Sequence, residues 1–190
     1  MKYHVVDFEK VTNLEWLWEN KQLVHYFGLG FIQLKLSPSE RVHFYTTELN
    51  KTVGDEEIHD HRYDFVSTIV KGRFSQTIYD VNIVGMDKTY THLISEETCS
   101  TEKQDDPALW CATAEPFYHS FYEPGQSYFM DSSTFHTVEA EHGTVTYLRR
   151  TDYKKKLANV VRPVGQPLVC PFSVKLTEDE IFDHLKQILG

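Results

Sequence analysis

Apolar and polar residues alternate along most of the middle of the chain, which is the pattern of strands that bury one face. The clearest run is Tyr63–Val70, rich in β-branched and aromatic residues, which stops at Lys71-Gly72. Similar runs predict ten short strands, and so many short strands favour an all-β, double-sheet jelly roll. The predicted strands lie at about 30–36, 41–49, 57–70, 73–84, 88–95, 109–113, 117–122, 126–130, 136–140 and 143–150.

Two segments have a helical pattern. Thr12 to Glu15 has the form of a capping box and predicts a helix over about 13–26. Thr177 to Glu180 repeats that form, and apolar residues at helical spacing follow it, so a second helix is predicted near 177–189. We expect both helices to pack outside the barrel. The alternative for the C-terminal helix is that it covers a partner subunit, as in a homodimer.

Length and charge limit the class of protein. A chain of 190 residues is predicted to form one domain over 1–190, with its barrel core at about 30–150 and a C-terminal extended segment and helix at 151–190. The net charge of −9 argues against a nucleic-acid partner. Two stretches are predicted to lie on the surface, a polar loop at 96–107 and a proline-punctuated extended segment at 162–172.

The cysteines and the hydropathy pattern bear on location. Cys99, Cys111 and Cys170 form neither a disulfide framework nor a zinc-ribbon pattern, which favours a reducing cytoplasm. The chain has no apolar run of about 18 residues and no basic, apolar leader, so we expect a cytoplasmic protein without a membrane partner.

Three histidines are the candidate metal ligands. His59 and His61 are one residue apart in a predicted strand, where alternate side chains share a face, and His136 follows a turn that contains glycine. A single histidine in a strand is more often a core or surface residue, so the spacing carries the prediction. The other histidines that a folded loop could bring near are His92, His119 and His142.

The segments around these histidines resemble the two motifs of the cupin superfamily over about residues 40–150. The first reads Gly54, four residues, His59-Asp60-His61, three residues, Phe65, six residues and Gly72. The second reads Gly125, five residues, the segment 131–136 ending at the third histidine, three residues and Ala140. The resemblance implies a cupin double-stranded β-helix that binds a divalent metal.

Phe65 stands where the family usually has a glutamate ligand. The remaining three-histidine set is similar to that of thiol dioxygenases such as cysteine dioxygenase, which also have a segment like Ile58 to His61. Their Ser-His-Tyr relay is missing, because Thr146, Leu148 and Arg150 occupy the corresponding positions. The resemblance implies a mononuclear non-haem Fe(II) oxidoreductase of the dioxygenase type, with Zn, Ni, Cu and Mn as alternatives for the ion.

Cationic and aromatic residues suggest a small anionic molecule as substrate. Arg41, His43 and Tyr45 share one face of a predicted strand, and Arg149 and Arg150 end another, shortly before a run of lysines at 154–156. Tyr63 and Arg41 are the candidate catalytic residues, and the substrate-binding candidates are Arg149, Arg150, Tyr45 and His43. Solvated faces are the plain alternative for both groups. The alternative function is a cupin that binds a nucleotide or sugar phosphate without turning it over.

Overall fold

The computed structural model describes residues 6–49, 57–97, 108–166 and 174–190. Within these ranges the chain is mostly β, which confirms the all-β prediction, and it forms two antiparallel sheets and three helices. In chain order the elements are α1 (Phe8–Thr12), α2 (Leu14–Asn20), β1 (Leu23–Phe27), β2 (Phe31–Lys35), β3 (Glu40–Tyr45), β4 (Ile58–His59), β5 (Tyr63–Lys71), β6 (Phe74–Ile83), β7 (His92–Glu97), β8 (Leu109–Tyr122), β9 (Ser127–Met130), β10 (Phe135–Ala140), β11 (Val145–Tyr153), β12 (Ala158–Pro163) and α3 (Glu178–Leu189).

The first sheet has the strand order β1-β2-β3-β11-β5-β9. Strand pleating sends alternate side chains to its two faces. On β3, Val42 and Phe44 face the helices and are fully buried, whereas His43 faces the opposite way, into the interior between the sheets. The helices cover the outer face over β1 to β3, and the second sheet faces the inner side.

The second sheet closes on itself in the order β10-β4-β12-β7-β8-β6, with β6 pairing back to β10. The shortest strand, β4, completes the circuit. It is paired to β10 only through His59 opposite His136, and to β12 through two residue pairs. Two of the predicted metal ligands therefore lie directly opposite each other where the sheet closes.

The predicted N-terminal helix over 13–26 is wrong in extent. Two short helices replace it, with Asn13, and not Thr12, as the N-cap of α2: its side chain accepts a hydrogen bond from the Trp16 amide at 2.9 Å. The chain then turns into β1, whose Leu23-Val-His-Tyr-Phe27 run is aromatic and β-branched and pairs along β2. Pairing with a neighbouring strand therefore outweighs the helical spacing of the apolar residues.

The predicted strands are confirmed in outline and corrected in detail. The segment 57–70 is two strands with a break at 60–62, and the runs at 109–113 and 117–122 are one strand, β8, with a bulge. The run at 88–95 begins only at His92. Two strands, β1 and β12, lie in segments where we predict none. The end of β5 at Lys71 is as predicted, and Gly72 follows with a φ of +82° that glycine adopts most readily.

The C-terminal helix is confirmed. Thr177 caps it and forms the predicted capping box with Glu180, and the apolar side chains of Ile181, Leu185 and Ile188 are buried. Phe182 packs edge-on against Trp18 at a centroid distance of 4.8 Å. This helix therefore covers its own chain, and the homodimer stays a prediction.

Several expectations fall on residues outside the described ranges. These are Gly54, Cys99, Cys170, residues 98–107 of the predicted loop at 96–107 and residues 167–172 of the predicted extended segment at 162–172. Cys111 is buried and carries a free thiol. None of the helices in the described ranges is both long enough and apolar enough to cross a lipid bilayer.

Candidate metal centre

The three predicted ligands meet at one point between the sheets. One potential ligand atom from each of His59, His61 and His136 lies within 4.8 Å of the others. The Nε2 atoms of His61 and His136 are 2.9 Å apart, and the His59 ring centroid lies 5.1 Å and 4.9 Å from those two rings. His61 reaches the cluster from the break between β4 and β5. The strand argument predicts correctly that it shares a site with His59, but the prediction that His61 itself lies in a strand is wrong.

Burial keeps these imidazoles neutral. It lowers the pKa of His59, and it lowers the pKa of His61 and of His136 well below the ordinary histidine value, where the neighbouring histidines act in the same direction. A neutral imidazole has one nitrogen lone pair to offer, which is the form that binds metal.

A neighbouring amide sets the tautomer of His136. Its Nδ1 lies 3.2 Å from Oε1 of Gln76, and because an amide oxygen only accepts, Nδ1 must carry the proton. The lone pair is then on Nε2, which faces His61. Gln76 is held in turn by a bond from its Nε2 to the Tyr122 hydroxyl at 3.2 Å. Outer partners of this kind orient metal ligands.

The spacing of the two facing nitrogens of His61 and His136 fits a single ion. Two nitrogens about 2.1 Å from a metal and at right angles to each other are about 3.0 Å apart, close to the 2.9 Å between His61 and His136. The cluster can therefore hold a metal ion. Imidazole suits iron, zinc, nickel and copper alike, so the donor set does not select the ion.

The histidines line a cavity of about 120 Å³. Phe65 is buried in its wall with its ring 4.8 Å from that of His61. Two of the predicted substrate-binding residues, His43 and Tyr45, also line it. Burial lowers the pKa of His43 to about 3 and raises the pKa of Tyr45, so both are neutral at pH 7.

The two predicted catalytic residues lie together beside the cavity. Arg41 is buried and donates a hydrogen bond to the hydroxyl of Tyr63, whose ring centroid is 6.0 Å from that of His61. Arg150 comes to the same place, with its guanidinium carbon 5.2 Å from the Tyr63 ring centroid. These three residues adjoin the histidines without lining the cavity itself.

Arg149 is not brought to the histidines. It follows Leu148, which lines the cavity, and strand alternation sends it to the outer face of the first sheet, where it is exposed beside Tyr147. The lysines lie outside as well: Lys155 pairs with Asp60, and the Lys154 ammonium is 3.7 Å from Asp64. The structure thus separates the predicted cationic cluster into distinct parts.

The three histidines that a folded loop was expected to bring near lie apart from the cluster. His119 and His142 are exposed, and His92 is at the start of β7. Among the described residues, these three do not join the metal-ligating group. His4 is outside those ranges.

A buried ion-pair network beside His59 was not predicted. Nε of Arg162 is 2.9 Å from Oε2 of Glu57, and its Nη1 is 2.5 Å from Oε1 of Glu97. Burial raises the pKa of Glu57, although Arg162 acts in the opposite direction. These residues are far apart in the sequence, so no local pattern links them. The pairing of β12 with β4 and β7 brings them together.

Comparison of the chain with models of known protein families and with curated proteins finds no match. The argument for function therefore rests on the residues of the site.

Proposed function

We propose that this chain is a metal-dependent enzyme of the cupin superfamily, with a mononuclear non-haem Fe(II) centre of the dioxygenase type that acts on a small anionic molecule. The observation that carries the proposal is the convergence on one point of three neutral histidines, of which His136 is buried and His59 and His61 are half-buried. Two antiparallel sheets around an enclosed site, together with the paired sequence motifs, support the jelly-roll assignment.

The ligand set favours oxygen chemistry over hydrolysis. Three protein ligands leave positions open for substrate and dioxygen, and Phe65 closes the place of a fourth protein ligand with an apolar ring. When bound, Fe(II) supplies the activation of dioxygen, which requires no acid/base pair from the protein.

The surrounding residues select and orient the substrate. The cavity is smaller than the roughly 300–1,000 Å³ of sites for drug-sized ligands, so only a small molecule, or one end of a larger one, fits. The neutral His43 and Tyr45 offer hydrogen bonds along its wall. Arg41, with Tyr63, holds positive charge next to His61, where it attracts an anionic group.

Elemental analysis of the purified protein tests the proposal. We expect near-stoichiometric iron in the wild type and loss of at least about nine-tenths of it in His59→Ala and in His136→Ala, because two imidazoles hold an ion far less tightly than three. His119→Ala is the matched control, since His119 is exposed and outside the cluster, and it should retain the metal.

Equal metal content in the wild type and in His136→Ala would contradict the proposed centre. Circular dichroism of each variant would separate loss of ligands from loss of folding. Oxygen uptake by the iron-loaded protein, screened with small thiols and anionic metabolites, then tests the reaction itself.

The second candidate function is capture of an anionic ligand without turnover. The guanidinium groups of Arg41 and Arg150, which lie together over Tyr63 beside the cavity, favour it, since an anion site needs no reaction to explain it. An iron-loaded protein that binds anions but consumes no oxygen with any of the screened compounds would decide for this alternative.

A further inference from the structure

Three arginines and two tyrosines form an alternating stack beside the metal centre. The guanidinium carbons of Arg41 and Arg150 lie 4.9 Å and 5.2 Å from the ring centroid of Tyr63. Those of Arg150 and Arg62 lie 4.2 Å and 4.8 Å from the ring centroid of Tyr153. We call these five residues the arginine–tyrosine stack.

The stack runs from the interior to solvent. Its inner end is Arg41, which is 7% exposed, and Tyr63, next to His61. Its outer end is Tyr153, which is 50% exposed. A register shift between Arg150 and Tyr153 lets both residues reach Tyr63 from β11. The stack is therefore a cationic path leading towards the three histidines.

The positive charges of Arg62 and Arg150 are not balanced by nearby acids in the way that those of the lysines are. In the described ranges, Arg62 and Arg150 form no ion pair with a carboxylate, whereas Lys154 and Lys155 each pair with an aspartate. Nε of Arg150 is buried and has no hydrogen-bond partner in that part of the chain. Its Nη1 donates to the carbonyl oxygen of Thr151 at 2.8 Å.

Contacts with the tyrosines offset only part of the cost of this arrangement. A cation over an aromatic ring contributes about 0.5–2 kcal/mol, but three like charges in one place repel one another. A bound anion would attract all three guanidinium groups and so offset their mutual repulsion. Guanidinium groups match the oxygens of phosphate and carboxylate in a fork geometry.

We propose that the arginine–tyrosine stack binds a dianionic oxyanion group, such as a phosphate monoester, on the ligand of this protein. A doubly charged group matches the stack because Arg62 and Arg150 both lack acidic partners in the described ranges and flank the same ring, Tyr153. The part of the inference that extends the ligand inward to the metal rests on the proposed function, whereas anion binding depends on the stack alone.

Thermal unfolding of the chelator-treated protein with inorganic phosphate as the probe tests this. At constant ionic strength, phosphate should raise the melting temperature in a saturable way, because a ligand that binds only the folded state stabilises it by mass action. Chloride should produce no such rise, and acetate a smaller one. Absence of a phosphate-specific, saturable shift in the wild type would overturn the proposal.

Variants locate the site. Arg150→Met and Arg62→Met keep an apolar stem of similar length and should each weaken phosphate binding by about tenfold or more, the loss expected for a charge-assisted hydrogen bond. Arg149→Met is the matched control, because strand alternation sends its side chain, opposite Val66, to the other face of β11 from Arg150, which lies opposite Phe65. Equal weakening by Arg149→Met, or none by both stack variants, would overturn the assignment. Arg62 lies outside the strands, so Arg62→Met can still test the location of the phosphate site even if Arg150→Met fails to fold.

His136→Ala separates this proposal from the proposed function. It removes a metal ligand and leaves the stack intact, so phosphate binding should persist within about twofold when metal is lost. Phosphate binding with no metal in the wild type would contradict the metal centre and support the stack. Metal retention without phosphate binding would support the metal centre and contradict the stack as an anion site.

Discussion

At the scale of single residues, the metal centre depends on which ring nitrogen of each histidine carries a proton. For His136 the answer comes from a residue outside the ligand set, because the Gln76 oxygen accepts from Nδ1 and leaves Nε2 free to bind an ion. Gln76 is 4% exposed, so water cannot readily replace it as the acceptor. A single amide thus fixes the tautomer and orientation of one ligand.

Replacement of this amide should weaken metal binding without removing a ligand. In Gln76→Met, His136 loses the acceptor that orients its ring, and the dissociation constant for the metal should rise by about 10–100-fold, as for other partners of metal ligands. Competition with a chromophoric chelator measures it. Tyr122→Phe is the control, since it removes the other contact of Gln76 and should change the constant much less. Equal effects of the two variants would assign Gln76 a packing role only.

His43 makes stability depend on pH. Its pKa falls from the ordinary 6.5 to about 3 through burial, with Arg41 acting in the same direction. Between these values the unfolded chain binds a proton at this residue that the folded chain does not. The free energy of unfolding must therefore fall as the pH is lowered from 6.5 towards 3, by up to about 1.4 kcal/mol per pH unit for one such histidine.

Urea unfolding of the chelator-treated protein at pH 6.5, 5.5 and 4.5 measures this slope. His43→Gln should reduce it by up to one proton, because glutamine does not titrate and can still pair with Gln33. An unchanged slope in that variant would mean that His43 is already protonated in the folded protein.

The convergence of the three histidines was predictable at this scale, but their partners were not. Histidine spacing pointed to His59, His61 and His136, because metal coordination would restrict residue type and local separation. Gln76 and Tyr153 have no local signal, since each acquires its surroundings from the register of strands that are distant in sequence.

At the scale of secondary-structure elements, the shortest strand, β4, carries one of the candidate metal ligands, His59. β4 has two residues, too few for backbone pairing alone to hold it firmly. Side chains on both sides of it take part: Arg162 binds Glu57 just before the strand, and Asp60 just after it accepts from the amide nitrogen of Asn159 at 2.7 Å. The strand that carries His59 is therefore fixed at both ends.

Loss of Arg162 should destabilise the whole fold. Arg162→Met leaves the carboxylates of Glu57 and Glu97 without their cation in a buried place, and breaking a buried pair in this way costs about 3–5 kcal/mol. Urea unfolding at neutral pH measures the loss. The control is Arg73→Met, which removes an exposed pair with a 3.8 Å separation and should cost less than about 1 kcal/mol. Similar costs for the two variants would show that the network contributes no more than a surface pair.

The helices and strands show where sequence periodicity is sufficient to predict secondary structure and where it is not. α3 was predictable because its cap and its apolar stripe agree. The segment 13–26 was not, because the same apolar residues satisfy a helix and a strand, and β2 decides between them by pairing with residues 23–27. β12 was missed because its polar Asn159 and Arg162 face partners that only the closed sheet supplies.

At the scale of the whole molecule, the two sheets have different tasks. The first carries the main hydrophobic core on its outer face, under the helices, and a mixture of polar and aromatic residues on its inner face. The second brings the histidines to that inner face. Stability and chemistry are thus placed on opposite sides of one sheet, and the alternation of residue types in β3 and β11 already indicates this division. The packing of the two sheets against each other depends on strand pairing between distant segments, and no local sequence pattern predicts that pairing.

The closure of the second sheet has a consequence for how an ion would enter and leave. β4 and β10 are paired only through His59 and His136, which are also two of the three candidate ligands. In the metal-loaded protein the ion would bridge the same two strands, so their separation and the breaking of coordination would be one event. Exchange of the ion with solvent would then require β4 and β10 to separate transiently. If these strands seldom separate, the ion would dissociate far more slowly than from three exposed imidazoles.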